Sequence, residues 1–176
     1  MLFRKAALRD VDAIAAIYDR THTEEEAGRL HVGWQRGVYP ERETALTAID
    51  RDDLYVCELD GQVAAAAIIN HLQLEEYKQG HWTVPADEKH VLVLHTLVVD
   101  PCFARRGCGS AFVRFYEEEA LRRGCTALRM DTQAQNTPAR QMYRKLGFTE
   151  TDILEGVLFN GVPGVRLVLL EKRVGC

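Results

Sequence analysis

The chain has 176 residues, 47% hydrophobic and 27% charged, with 22 basic against 26 acidic side chains and a formal net charge of −4. That length suits one folded domain, residues 1–176, with a substantial apolar core. The composition excludes a disordered or fibrous chain, and the acidic balance excludes a global electrostatic footprint for nucleic acid. The longest apolar runs, VAAAAII and VLVLHTLVV, are too short to cross a bilayer as helices, and MLFRKAALRDVDAI turns charged too early for a signal peptide. A cytoplasmic protein with no membrane and no nucleic-acid partner is expected. The five cysteines, at 57, 102, 108, 125 and 176, form no C-x-x-C pair, so they match neither zinc-ligand spacing nor a disulfide framework, and reduced thiols without a metal are expected.

In chain order, FRKAAL reads as an edge strand, and Asp10 is placed to cap a helix carrying Val11, Ile14, Ile17 and Tyr18 at helical spacing. Glu24, Glu25 and Glu26 fall on a solvated helix face, Pro40 ends a loop around Trp34 and Tyr39, and ERETALTAID is a short second helix. LYVCELDGQVAAAAIIN gives two strands joined by Asp60-Gly61, a dipeptide suited to a type I′ hairpin turn. The polar stretch HLQLEEYKQGHWTVPADEK interrupts the pattern before VLVLHTLVV, which is apolar on both alternating faces and so reads as a central strand.

DPCFARRGCGS then leads into a helix that buries Phe112, Phe115 and Tyr116, exposes Glu117 to Glu119 and ends at Gly124. CTALRMDT is a further strand. Thr137-Pro138 supplies the N-cap and first position of a helix over ARQMYRKL, which Gly147 ends, and ILEGVLFNGVPGVRLVLLEKR supplies two strands around Asn160-Gly161.

The segment Asp100–Ser110 carries the strongest chemical signal. A helix N-terminus presents unpaired N–H groups and the positive end of the macrodipole, Gly107 and Gly109 remove Cβ atoms where an anion must come close, and Arg105 and Arg106 add local positive charge. The combination suits a diphosphate; a tight turn at a helix start is the alternative. The dinucleotide fingerprint lacks its third glycine here, and no G-x-x-x-x-G-K-[ST] occurs.

These residues resemble the Gcn5-related N-acetyltransferase (GNAT) superfamily. Val99-Asp100-Pro101 and Ala104-Arg105-Arg106-Gly107-Cys108-Gly109 are similar to that family's V-x-P and [QR]-x-x-G-x-[GA], with Ala104 where the family most often has Arg or Gln. Asn136 to Phe148, NTPARQMYRKLGF, resembles its N-x-x-A-x-x-x-Y-x-x-x-G-F. The resemblance implies an α/β fold with a mixed, mostly antiparallel central sheet flanked by helices, and acetyl-CoA bound as co-substrate in a V-shaped opening beside the central strand. It implies that the backbone of Leu97, Val98 and Val99, the loop Arg105, Arg106, Gly107, Cys108, Gly109 and Ser110, and Asn136, Ala139 and Tyr143 contact acetyl-CoA.

The activity it implies is direct acetyl transfer to a primary amine, taken to be that of a small-molecule acceptor, with Tyr143 protonating the departing thiolate. His95, an ionisable ring in a doubly apolar strand, is the candidate base or else a structural histidine with a satisfied partner. Glu58 and His71 are runner-up bases, and Asp131 reads as a loop anchor. Trp34, Tyr39, Tyr77 and Trp82 either line an amine pocket or anchor loops, and nothing pairs Cys102 or Cys108 with a base. The opposing reading is a catalytically silent acyl-CoA-binding sensor or partner-binding module. A homodimer is an expectation by analogy alone.

Overall fold

The computed structural model describes residues 1–175. Seven strands, β1 (Leu2–Lys5), β2 (Leu54–Leu59), β3 (Gln62–Asn70), β4 (Val91–Val99), β5 (Ala127–Gln133), β6 (Thr149–Phe159) and β7 (Val162–Arg173), form one sheet in the order β1-β2-β3-β4-β5-β7-β6. Neighbours are antiparallel except β4 and β5, which run parallel because α3 (Cys108–Arg122) carries the chain back between them. The remaining helices are α1 (Val11–Glu26), α2 (Arg42–Asp50) and α4 (Thr137–Lys145).

The alternation along β4 assigns the faces. Leu92 and Leu94 pack with Phe112, Tyr116 and Tyr143 from α3 and α4. On the other face Val98 packs with Ile14, Ile17, Ala45 and Ala48 from α1 and α2, and Val91 and Val93 pack with Tyr77 and Val84 from the connection between β3 and β4. Both faces of β4 are thus covered, as its apolar run demands.

The hairpin turns form where expected: Asp60 and Gly61 stand at φ 54 and 76, Asn160 and Gly161 at φ 48 and 78, the left-handed pair a type I′ turn requires. Two caps differ from the sequence expectation. Asp10 precedes α1, yet its carboxylate accepts from Ala7 N at 2.8 Å and from Arg4 at 2.7 and 2.8 Å, so a guanidinium competes successfully for the oxygens that would have capped the helix. At α4 the cap is Asn136 rather than Thr137, with its Oδ1 accepting from Ala139 N at 3.4 Å. Thr137 and Pro138 therefore both lie inside the first turn, where the missing proline N–H costs nothing.

The feature that positions the site is a fork. β4 and β5 pair from Val91↔Ala127 to Leu94↔Met130 and no further. Immediately beyond, β4 carries one extra residue relative to β3, pairing Ile68 with His95 but Ala66 with Val98, and Thr96 sits at φ 52. A β-branched residue in the left-handed region is strained, and here it marks a bulge that bends β4 away while β5 continues along β7 to Gln133↔Leu167.

Candidate active site

The chain leaves β4 through a single 3-10 turn, Pro101–Phe103, whose start is set by the buried Asp100: its carboxylate accepts from Cys102 N at 2.9 Å and from Arg20 of α1 at 2.6 and 3.0 Å. Gly107 then adopts φ 81 at the N-cap of α3. A Cβ there would meet nothing within 4 Å, so conformation, not crowding, requires glycine. At Gly109 the reason is the reverse: a Cβ would stand 3.3 Å from Met142 Sδ and 3.5 Å from Val99 Cγ2, so its absence lets α3 approach α4 and β4. The first α-type bond of α3 is Ala111 N to Gly107 O at 3.0 Å, which leaves the N–H groups of Cys108, Gly109 and Ser110 without intrahelical partners.

Those three residues, with Val99, Arg105 and Gly107, line a cavity of about 430 Å³. It is a cradle of backbone donors at the positive end of a helix, the arrangement a diphosphate needs. Arg105 borders it. Arg106 turns instead to the β2–β3 turn, donating to Asp60 Oδ2 at 2.7 Å with its guanidinium 5.3 Å from the Phe103 ring.

The fork opens a second, smaller cavity of about 70 Å³ lined by Leu94, Thr96, Leu97, Asp131, Asn136 and Tyr143. Asn136 Nδ2 donates to Thr132 Oγ1 at 3.2 Å, tying the start of α4 to the far end of β5 and so fixing Ala139 and Tyr143 beside the opening. The Tyr143 ring is buried, yet its hydroxyl is not one of the sealed side-chain atoms left without a partner, so it is reachable from the cavity. Val98 faces the opposite side, buried against α1 and α2, and contributes only backbone here.

His95 and Asp131 follow Leu94 and Met130, the last paired residues, and therefore stand on the two lips of the fork on the face opposite α3 and α4. His95 lines a separate cavity of about 430 Å³ with Tyr39, Glu43, Arg51 and Asn70. Tyr39 lies between the lips: it borders both that cavity and one of about 40 Å³ beside Asp131, and its hydroxyl hydrogen-bonds Thr96 Oγ1.

The Acetyltransferase (GNAT) family model matches residues 12–148, most of the chain and every element of the fork and cradle. The chain belongs to that family. A ribosomal-protein-alanine N-acetyltransferase structure from Brucella melitensis superposes with a TM-score of 0.73 at 23% identity, covering 99% of this chain and 100% of that one. A Salmonella typhimurium structure solved with its cofactor acetyl-CoA gives 0.72 at 18% identity over 99% of this chain and 94% of that one. Among sequences, the chain is 27% identical over 114 residues to the streptothricin acetyltransferase of Escherichia coli, covering 65% of this chain and 59% of that one. It is 35% identical over 60 residues to the [ribosomal protein bS18]-alanine N-acetyltransferase of Escherichia coli K12, covering 34% of this chain and 40% of that one. The matches thus span about half the length of these curated relatives.

Within this acetyltransferase-family site, burial governs the ionisable groups. His95 Nε2 lies 3.1 Å from Asn70 Oδ1. Asn70 Nδ2 is committed to Asp53 Oδ2 at 2.8 Å, so Oδ1 is an acceptor and His95 carries its proton on Nε2. Burial lowers the His95 pKa to about 4, against weaker support from the Leu72 backbone and Asp53, so the ring is neutral at pH 7. Burial acts the opposite way on Asp131, whose carboxyl is pushed up to about 7 although Tyr77 donates to it at 2.7 Å and favours the charged form. Burial, and secondly the charge of Asp131, holds the Tyr143 phenol well above its ordinary value, so it stays protonated.

From the sequence alone Asp131 reads as a loop anchor, and Thr96 carries no local signal. An acidic residue in the otherwise buried run 127–132 is a signal of the same kind as His95, but its meaning depends on where pairing stops. Of the runner-up bases, Glu58 is held by Arg4 at 2.9 Å on β2, and His71 Nδ1 lies 2.8 Å from Val91 O; neither lines the fork cavity. Among the described residues, no helix is long and apolar enough to cross a membrane, and no group of three His, Cys, Asp or Glu side chains is placed to hold a metal.

Proposed function

We propose that this protein binds acetyl-CoA along β4 and the N-terminus of α3 and transfers the acetyl group directly to a primary amine of a small molecule. The observation that carries the reading is the succession of two features along β4 and α4: a cradle of unpaired helix-start amides beside Val99 and Met142 and, next to it at Leu97 and Tyr143, a buried phenol open to a small cavity. The residues fit the co-substrate: the amides of Cys108, Gly109 and Ser110 and the side chain of Arg105 would hold its diphosphate, and the β4 backbone at Leu97, Val98 and Val99 its amide arm. When bound, it supplies an activated acetyl thioester.

The chain supplies the proton handling. Tyr143, kept protonated, donates to the departing sulfur. Asp131, ionised at and above its pKa of about 7 and lining the same cavity, accepts the proton that the amine loses. Acid and base are thus set apart by environment, one phenol raised and one carboxylate tuned towards neutrality. His95, on the opposite lip, is the alternative acceptor; a pKa near 4 makes it the weaker base at neutral pH.

The small-molecule reading is supported by the enclosure of the acceptor lip, where the α1–α2 connection carries Trp34 and Tyr39 against the fork and leaves cavities of about 40 and 70 Å³. The test is thiol release from acetyl-CoA across a panel of amines and peptides, wild type beside Tyr143→Phe. Turnover with one class of small amine, reduced about 10²-fold in kcat by the variant with little change in acetyl-CoA affinity, is expected. Acetyl-CoA that raises the melting temperature with no turnover on any acceptor would favour the silent binding module instead.

A further inference from the structure

Tyr77 lies in the Glu75–Gln79 turn of the strandless connection between β3 and β4 and is 2% exposed. Its hydroxyl donates to Asp131 Oδ1 at 2.7 Å. Far more holds this phenol than a loop anchor requires. The Trp82 indole Nε1 donates to Tyr77 O at 2.9 Å, and the two rings pack 5.1 Å apart. Trp82 in turn lies under the Arg129 guanidinium at 4.3 Å, and Arg129 is fixed by the buried Glu171 at 3.1 Å and by Gln73 at 2.6 Å. Glu171 also accepts from Thr83 N, Thr83 Oγ1 and Val84 N at 2.7, 2.9 and 2.9 Å. Side chains from β5 and β7 therefore clamp the connection so that one hydroxyl meets one carboxylate oxygen.

We propose that Tyr77 is a positioning residue for the transfer: its hydroxyl occupies Oδ1 of Asp131 and fixes the carboxylate plane, leaving Oδ2 as the atom that meets the incoming amine. Asp131 Oδ2 has no donor among the described residues and is not sealed off, and Asp131 lines both the fork cavity and the neighbouring cavity beside Tyr39. The last torsion of an aspartate is broad, and a single donated bond removes that freedom. A buried phenol suits the task because it stays protonated, its pKa raised by burial and then by Asp131 itself.

The other titratable groups facing Asp131 are Glu76 beside Tyr77, Tyr39 from the α1–α2 connection, Tyr143 from α4 and His95 across the fork; Arg129 and Tyr116 act on Tyr77. None of these is changed by removing the Tyr77 oxygen. The proposal rests on Asp131 being the proton acceptor, and its test separates the two claims.

Tyr77→Phe keeps the ring and deletes the donor. The first readout is a carbon-13 titration of the Asp131 carboxyl in the whole protein, identified by its loss in Asp131→Asn. The second is the pH profile of thiol release with acetyl-CoA and 1,4-diaminobutane. The carboxyl midpoint in Tyr77→Phe is expected to rise by about one pH decade, the worth of one hydrogen bond to a charged group, with the acidic limb of the rate moving up alongside it and a rate about fivefold lower at pH 7. An unmoved midpoint overturns the proposal whatever the kinetics; a raised midpoint beside an unmoved limb overturns the positioning role in the reaction. A limb that survives Asp131→Asn removes Asp131 as the base, and with it the foundation of the proposal, independently of the titration.

Discussion

Asp131→Asn is expected to make the protein more stable and less active, and the stability change has a definite pH signature. The substitution keeps size and shape, and the amide oxygen can still accept from Tyr77. In the wild type burial pushes the folded-state carboxyl up to about 7, against an ordinary 3.8 when unfolded. A raised carboxyl pKa means that the folded state holds the proton more tightly, so its contribution to stability is fully present below the unfolded value and falls as pH rises through the folded one. At 1.36 kcal/mol per decade, the full penalty above pH 7 is about 4 kcal/mol, of which about 3 develops between pH 5 and pH 9.

Asparagine escapes the penalty. Urea denaturation of both proteins at pH 5, 7 and 9 should therefore show the variant gaining about 3 kcal/mol on the wild type across that range, about 6–12 °C in melting temperature for a chain of this size. Thiol release should fall in the same variant. A stability difference that does not change with pH would mean that Asp131 titrates at its ordinary value, and the case for it as a base near neutrality would fall.

Gly107→Val places a branched side chain at φ 81, facing the open cradle; acetyl-CoA binding by calorimetry should be lost, with unchanged affinity counting against the loop as the diphosphate site. Glu171→Ala removes the acceptor for three groups of the Thr83–Val84 segment and leaves Arg129 buried and unpaired, so denaturation should show a loss of about 3–5 kcal/mol. His95→Gln should leave the rate profile above pH 6 in place if Asp131 is the acceptor, and a shifted limb would transfer the role to His95.

Much of the site was legible because short-range chemistry writes it locally. Gly107 reads as a left-handed cap, Asn136 to Tyr143 as one face of a capped helix, and Asp60-Gly61 as a turn, since each depends on residues within a few positions. Arg106 shows the limit of such reading. Its charge was visible in the sequence, but its pairing with Asp60, a turn 46 residues away, was not. Asp10 is a similar case, drawn from its helix by an arginine on the neighbouring strand.

What the sequence alone determined about this protein is its family, the order of strands and helices, and the cradle at the start of α3, because periodicity, turn chemistry and two spaced motifs are local properties of the chain. Only the tertiary structure decided what meets at the fork. The register that ends at Leu94↔Met130 and the strained bulge at Thr96 bring His95 and Asp131 to facing lips. The fold also carries Tyr77 across 54 residues of sequence to the second of them. Burial then tunes those two groups in opposite directions, and burial is a property of the assembled fold that no single segment contains.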